Sequence, residues 1–376
     1  MAQAERLEVS RTRLPEWLVE GLLRLGESVI ALLVGLLVGA IIMYLSGYDA
    51  VEAYKSLFGM SLFDSYGLTG TLSFTAPIML TGITFAVGVR AGLFNIGAEG
   101  QLYMGALGAV LVAWLATYKI RLLDSVLGTL FAYTIGVVLA LVWAYIAGIL
   151  KVKRGVHEVV STIMLNWIAF WIVEYFRVYV VYNPEDPSKT ISVPTHARLP
   201  LLVPDTELSA TIIVSILFSL FVYYLLWYTV TGYELRAAGL NPLAARYAGI
   251  KTEKAIMISF LVGGIASGLA GAGEVLGRPP HYAITTGLSN LYGLGFDGIT
   301  VALIGANHPI GIIFAAILVG ALKSGARYMQ IYAGVPLEMV RVVEGVIIVA
   351  LAVPGTLRML REYLRRRREL AELQKG

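Results

Sequence analysis

Again and again this chain sustains about twenty apolar residues in a row, the length an α-helix needs to cross the hydrocarbon core of a bilayer. Hydropathy places about ten such runs, near 28–46, 72–91, 95–116, 125–150, 156–182, 208–231, 255–276, 288–305, 309–326 and 337–354. The runs are continuous, whereas a membrane barrel would show short segments alternating in polarity. With 57% hydrophobic and only 14% charged residues, the 376-residue chain falls well short of the roughly one quarter charged usual for soluble domains. The expected fold is an all-α polytopic membrane protein. Cysteine is absent, which excludes disulfides, thiolate metal sites and a cysteine nucleophile.

Three segments are expected: a polar leader over 1–27, a transmembrane domain over 28–355 and a basic tail over 356–376. Within the leader, LPEWLVEGLLRLGE reads as an amphipathic helix lying on the membrane surface. The first apolar run begins near Ser28 and continues too long for the apolar region of a cleaved signal peptide. Basic residues favour the cytoplasmic side of a membrane. They collect in KVKRG (151–155), in the loop with Arg236, Arg246, Lys251 and Lys254, and in the tail RMLREYLRRRRE. With about ten spans this puts both termini in the cytoplasm, where the simplest reading of the basic tail is that it rests on anionic head groups. On the opposite side, YNPEDPSKTISVPTHARLPLLVPDTE reads as a polar, proline-rich cap.

The stretch GVRAGLFNIGAEGQLYMG (88–105) interrupts apolar sequence with Asn95, Glu99, Gln101 and five glycines. Glycines let helices approach closely, or break and restart. A carboxylate at membrane depth costs several kcal/mol unless it faces a cavity or a partner. If the stretch is helical, Asn95 and Glu99 share one face, with Gln101 and Gly105 on another. Two compatible readings follow: a gate or pathway built at a helix break, or a packing hinge in which Glu99 caps freed backbone N–H groups. Asn166 lies one to two turns inside the fifth run, and Asp297 with its flanking glycines interrupts the eighth. Glu174 and Arg177, three apart, suggest a structural ion pair. Glu338, Arg341 and Glu344 repeat that spacing in the last run. Four scattered histidines make no metal site, so no metal ligands are expected. AGLFNIGAE (91–99) and SGLAGAGE (267–274) echo each other in runs of opposite direction, as an inverted repeat would.

The loop GYELRAAGLNPLAARYAGI (232–250) is the second informative stretch. Asn241 suits an N-cap and Pro242 a first helical position, so a short helix should start there and stop at Gly249. On pattern alone this is either a solvated connector or a helix that docks into a partner.

Taken together, GLFNIGAEGQLYMGA (92–106), HEVVSTIMLNWIA (157–169), the 232–250 loop and GFDGITVALIGANHPIGI (295–312) resemble the permease subunits of nucleoside-type ABC importers. Ribose and branched-chain amino-acid permeases are the relatives of that group. The resemblance implies a ten-helix permease that pairs with a second copy or a different permease. Its further partners would be an ABC ATPase, an extracytoplasmic substrate-binding protein and membrane lipid. It makes the 232–250 loop the ATPase-coupling helix, with Asn241, Pro242, Ala244, Ala245, Arg246 and Gly249 as coupling residues. It also puts Asn95, Glu99 and Gln101 near the central path; Asn166 and Asp297, polar groups inside apolar runs, are the further candidates for the translocation path. His157 departs from the pattern, in which Asn is usual. No GxxxxGK[ST] phosphate loop is present, so ATP and magnesium are expected only in the partner ATPase and this chain is not an enzyme. A ribose-type sugar or a branched-chain amino acid is the alternative cargo. An ion-coupled secondary transporter is a further alternative, but it would want a carboxylate cluster where only Glu99 stands.

Overall fold

The computed structural model describes residues 16–336, 338–343, 345–347 and 349–350, with side chains from Ile30 onward. The expected leader up to residue 15, the basic tail and Glu344 lie outside the described residues. Among the described residues the chain is helical, with isolated bridges and no strands. It forms two compact units. One comprises the described residues up to Ala50 and from Glu338 onward, the other the described residues between them.

In the first unit, α1 (Glu16–Leu45) is a single 30-residue helix. The expected surface helix and first span are therefore one element, because no proline interrupts it and its four glycines, Gly21, Gly26, Gly35 and Gly39, are each tolerated in a helix at modest cost. At Gly35 the helix approaches the backbone of Ile347, where an added Cβ would sit 2.9 Å from the Ile347 Cα.

The second unit holds α2 (Ala50–Phe58) from its second residue, α3 (Ser65–Arg90), α4 (Ala98–Tyr118), α5 (Val126–Arg154) and α6 (Glu158–Tyr179). It continues with α7 (Thr211–Tyr228), α8 (Val230–Leu240), α9 (Pro242–Tyr247), α10 (Thr252–Gly277), α11 (Leu294–Ile304) and α12 (Pro309–Ala333). By length and composition, α3, α4, α5, α6, α7, α10 and α12 can each cross a membrane. At the centre α3 packs against α10; α4 and α5 close one side, α11 and α12 the other. Small residues make this possible. Added Cβ atoms at Gly105 and Gly136 would lie 2.6 Å from the carbonyls of Gly268 and Gly105, so α4, α5 and α10 touch backbone to backbone, the usual device for helices in lipid. Buried threonine and serine hydroxyls then bridge helices, as where Thr84 Oγ1 bonds both the Gly263 carbonyl (2.9 Å) and Ser267 Oγ (2.8 Å).

The expected eighth span is not a full one. Residues 287, 288 and 293 take positive φ, which ends helical geometry, and α11 has only 11 residues. At ~1.5 Å per residue it covers about half the bilayer core. The expected tenth span, 337–354, is described only in part. The 91–99 and 267–274 echo is not carried into local structure: 91–97 is a helix break, whereas 267–274 lies inside unbroken α10. Glu174 and Arg177 do pair, at 2.6 Å. The proline-rich segment is an ordered cap, pinned by Thr190 N donating to the Ile284 carbonyl, Val193 N to Tyr282 and Leu199 N to Leu276.

Candidate functional site

Two places in the second unit gather the polar residues, and each is built by a short interruption of helix. The first is the break between α3 and α4. Gly92, at φ +76°, turns the chain so closely past Gly239 of α8 that an added Cβ would lie 3.1 Å from its Cα. Asn95 is therefore outside any helix and does not share a helical face with Glu99, contrary to the spacing argument. Its Oδ1 instead accepts from Gly97 N at 2.9 Å. Neighbouring helices supply the rest of the clasp. Asn166 on α6 accepts from Gly100 N (2.9 Å) and donates to the Ile96 carbonyl (3.0 Å). Glu158, at the start of α6, accepts from Phe94 N (3.3 Å) and pairs with Lys151 of α5 (2.7 Å).

Glu99 stands in the first turn of α4, 1% exposed. It accepts three hydrogen bonds: from Tyr103 Oη and Gly293 N at 2.6 Å each, and from Gly295 N at 2.5 Å. The last two are N–H groups at the start of α11, which a helix leaves without partners of its own. A carboxylate is the strongest acceptor available for them, and the positive end of a helix favours it. Gly295 is required there, since an added Cβ would lie 2.6 Å from Glu99 Oε2. Asp297 faces the other way and pairs with Lys323 of α12 at 2.9 Å. The half-length helix is thus tied to α4 by one carboxylate and to α12 by another. Gln101 is buried on α4; its Oε1 and the Asn95 Nδ2 are buried with no hydrogen-bond partner.

The second place is the end of the bundle that carries α8 and α9. Asn241 Oδ1 accepts from Leu243 N (3.1 Å) and Ala244 N (3.0 Å), Pro242 opens α9, and Gly249 ends the segment at φ +82°. Ala245 points inward and packs with Ala238, Ala255 and Ile250. Arg246 folds back to Thr252 Oγ1 (3.0 Å) and Glu253 Oε1 (2.6 Å). These residues build and orient α9. The surface it presents is different: Leu240, Leu243 and Tyr247 are 88%, 69% and 94% exposed. Capping chemistry does not single them out, because it fixes where α9 begins and not which face it exposes. The available signal was Leu243 and Tyr247, four apart on a helix of six residues.

An aromatic hub links this end to the break. The Trp227 ring has the Arg90 guanidinium 5.4 Å and the Arg236 guanidinium 5.6 Å from its centroid, with the His308 ring at 4.5 Å. Such distances give cation–π attraction. Arg90 also donates to the carbonyls of Asn307 (2.9 Å) and Ala306 (3.2 Å). Those two residues both have φ +53°, a conformation rarely adopted outside glycine. Burial and the neighbouring Arg90 charge hold the His308 pKa below its ordinary value. His157, which precedes α6, is exposed.

A helical bundle with several membrane-length helices, close-packed through glycine and interrupted by a half-length helix, defines a multi-pass membrane protein of the transporter type. Residues 67–352 match the family described as branched-chain amino acid transport system, permease component. The chain belongs to that family. It is 37% identical to a guanosine ABC transporter permease of Bacillus subtilis, over 93% of this chain and 99% of that one. With a nucleoside ABC transporter permease of Lactococcus lactis subsp. cremoris the identity is 35%, over 86% of this chain and 89% of the relative. A glucose ABC transporter permease of Haloferax volcanii is 29% identical over 91% and 89%. No solved structure matches the chain.

Proposed function

We propose that this chain is the membrane-spanning subunit of an ATP-driven importer whose cargo is a nucleoside. The observation that carries the reading is its likeness to the guanosine permease along almost the whole length of both chains. The chemistry of the interior agrees with an uncharged, polar cargo. Glu99 is spent on backbone N–H groups, Asp297 on Lys323 and Glu274 on Arg278, so these three carboxylates are already engaged. The glucose permease favours a sugar as the second reading.

The complex is proposed to contain a separate ATPase, which holds ATP and magnesium, a substrate-binding protein on the outer side, and a second permease. The Bacillus organism has another guanosine ABC transporter permease, 28% identical to this chain, which favours a pair of different subunits. Under the expected topology, α8 and α9 lie on the cytoplasmic side. There Leu240, Leu243 and Tyr247 enter a groove on the ATPase, with Asn241, Pro242, Ala244, Ala245, Arg246 and Gly249 shaping the helix. Movement of α8 reaches α3 and the 305–308 turn through Arg236, Trp227 and Arg90. Asn95, Glu99, Gln101, Asn166 and Asp297 hold the two helix interruptions that border the path. The unpartnered amide atoms of Asn95 and Gln101 gain partners in the other access state. Alternating access then follows from differential stabilisation of two arrangements by nucleotide on the ATPase.

A substrate panel tests the cargo. Proteoliposomes holding this chain, its ATPase, the second permease and the binding protein are offered labelled guanosine against excess unlabelled uridine, ribose or glucose. Competition by uridine but not by the sugars is expected. Uptake of glucose in place of guanosine would transfer the reading to a sugar importer.

A further inference from the structure

Four aromatic side chains close α7: Tyr223, Tyr224, Trp227 and Tyr228 fall within its last two turns. Aromatic rings at the end of a span belong at head-group depth. Thr229 then caps a new helix, accepting from Gly232 N at 3.1 Å, and within two turns α8 brings Arg236 back to the Trp227 ring. Arg90, the last residue of α3, reaches the same ring. Both guanidinium carbons lie within 5.6 Å of one indole centroid.

The two arginines differ in what holds them. Arg90 donates from Nε and Nη2 to the carbonyls of Asn307 and Ala306. Among the described residues no carboxylate pairs with Arg236, and its buried Nε has no hydrogen-bond partner. A guanidinium N–H withdrawn from water without an acceptor is costly. The surface beside it is apolar and aromatic. Leu217, Phe221, Tyr224 and Tyr228 recur at three- and four-residue spacing on α7 and are all exposed, so they form one stripe along the helix. The stripe ends in the stacked rings of Tyr224 and Tyr228, 5.9 Å apart and 9° between planes. Tyr228 also brings its hydroxyl to 3.4 Å from that of Tyr223, whose ring lies 5.5 Å from Trp227.

We propose that Arg236, together with Arg90 and the Trp227 ring, holds the phosphate of an anionic phospholipid. The planar fork of a guanidinium matches two phosphate oxygens, and the phosphodiester supplies the acceptor that the Arg236 Nε lacks within the chain. The acyl chains lie along the exposed stripe of α7. That stripe is the reason for a lipid rather than a soluble phosphate: it leads from the arginines along the length of a membrane-spanning helix. Charge selects among lipids. A zwitterionic head group would bring its ammonium up to two guanidiniums, whereas basic pockets between helices at a membrane edge favour anionic ones. That the lipid belongs to the cytoplasmic leaflet rests on the topology used above; the site itself does not. Bound there, the lipid ties α8, which leads into α9, to the end of α3.

The test is a titration of phosphatidylglycerol into the delipidated full complex in detergent, with bound lipid counted by native mass spectrometry. Phosphatidylcholine and inorganic phosphate are the comparison ligands. Phosphatidylglycerol should bind roughly tenfold or more tightly than phosphatidylcholine, the scale set by two basic side chains. Arg236→Gln should weaken that binding by roughly tenfold or more, as one charge-assisted hydrogen bond is lost. Lys254→Gln, which removes an exposed charge at the same end of the bundle, should leave it unchanged. Copurification of the ATPase checks assembly of each variant. Equal binding of the two lipids by the wild type overturns the charge argument and with it the site. Unchanged phosphatidylglycerol binding in Arg236→Gln, or an equal loss in Lys254→Gln, overturns the placement. Displacement of the lipid by inorganic phosphate at equal concentration overturns the choice of a phospholipid. Each of these outcomes is independent of the cargo, which the uptake panel reads separately.

Discussion

Replacing Glu99 by alanine removes the acceptor of three buried hydrogen bonds at once, from Tyr103 Oη, Gly293 N and Gly295 N. Each donor left unpaired in a site without water costs about 1–3 kcal/mol. The sum, ~3–9 kcal/mol, is an upper range, because the start of α11 can shift to recover part of it. Glu99→Gln keeps one oxygen, which can serve Tyr103 and Gly293, but sets its NH2 against the Gly295 N–H; about 2–4 kcal/mol is expected, from one orphaned donor and the loss of charge assistance. Tyr103→Phe removes a single bond to the carboxylate and should cost about 1.5–3 kcal/mol. The predicted order of destabilisation is therefore alanine, then glutamine, then Tyr103→Phe. Denaturant titration of the purified complex measures it, and hydrogen exchange over 288–304 locates it. The reasoning fails if Glu99→Ala unfolds with the wild type and exchange over 288–304 is unchanged.

Lys323→Met leaves Asp297 as an uncompensated, partly buried charge and should cost up to about 3–5 kcal/mol in the same titration, while the pair Lys323→Met with Asp297→Asn should recover most of it. Asn241→Ala removes the acceptor for Leu243 N and Ala244 N and should cost about 1 kcal/mol, read as faster hydrogen exchange over 242–247 with the rest of the chain unaffected. The lowered pKa of His308 means that the unfolded chain takes up a proton near pH 6.5 while the folded one does not. Stability from this group is therefore full above about pH 6.5 and declines as pH falls below that value towards the folded pKa. The difference in melting temperature between pH 7.5 and 5.5 should shrink in His308→Gln.

Much of the bundle was legible because apolar length and helix-stop chemistry are local. Asn241, Pro242 and Gly249 marked the beginning and end of α9 within a residue or so, since capping needs only neighbouring atoms. The break after α3 was readable from clustered glycines. What sequence could not supply was the partner across the fold. Glu99 was recognised as a carboxylate that needed donors, but those donors are backbone N–H groups of Gly293 and Gly295, nearly two hundred positions away. The same gap hid the nature of α11. Its apolar composition fits a span, and only the positive-φ residues 287, 288 and 293, with Glu99 bonded to Gly293 N and Gly295 N, make it a half-length helix. Burial was equally invisible on α9, where Ala245 turned inward and Leu243 and Tyr247 outward. Pattern alone likewise divided α1 into two elements that the structure joins.

The most direct test of the central account is the initial rate of labelled guanosine uptake into proteoliposomes holding the full complex, with ATP or a non-hydrolysable analogue at the ATPase. Each condition is repeated with the double variant Leu243→Asp, Tyr247→Ala. The account predicts uptake only with hydrolysable ATP, and its loss in the double variant. Equal uptake with the analogue, or ATP-driven uptake that survives the double variant, would contradict it.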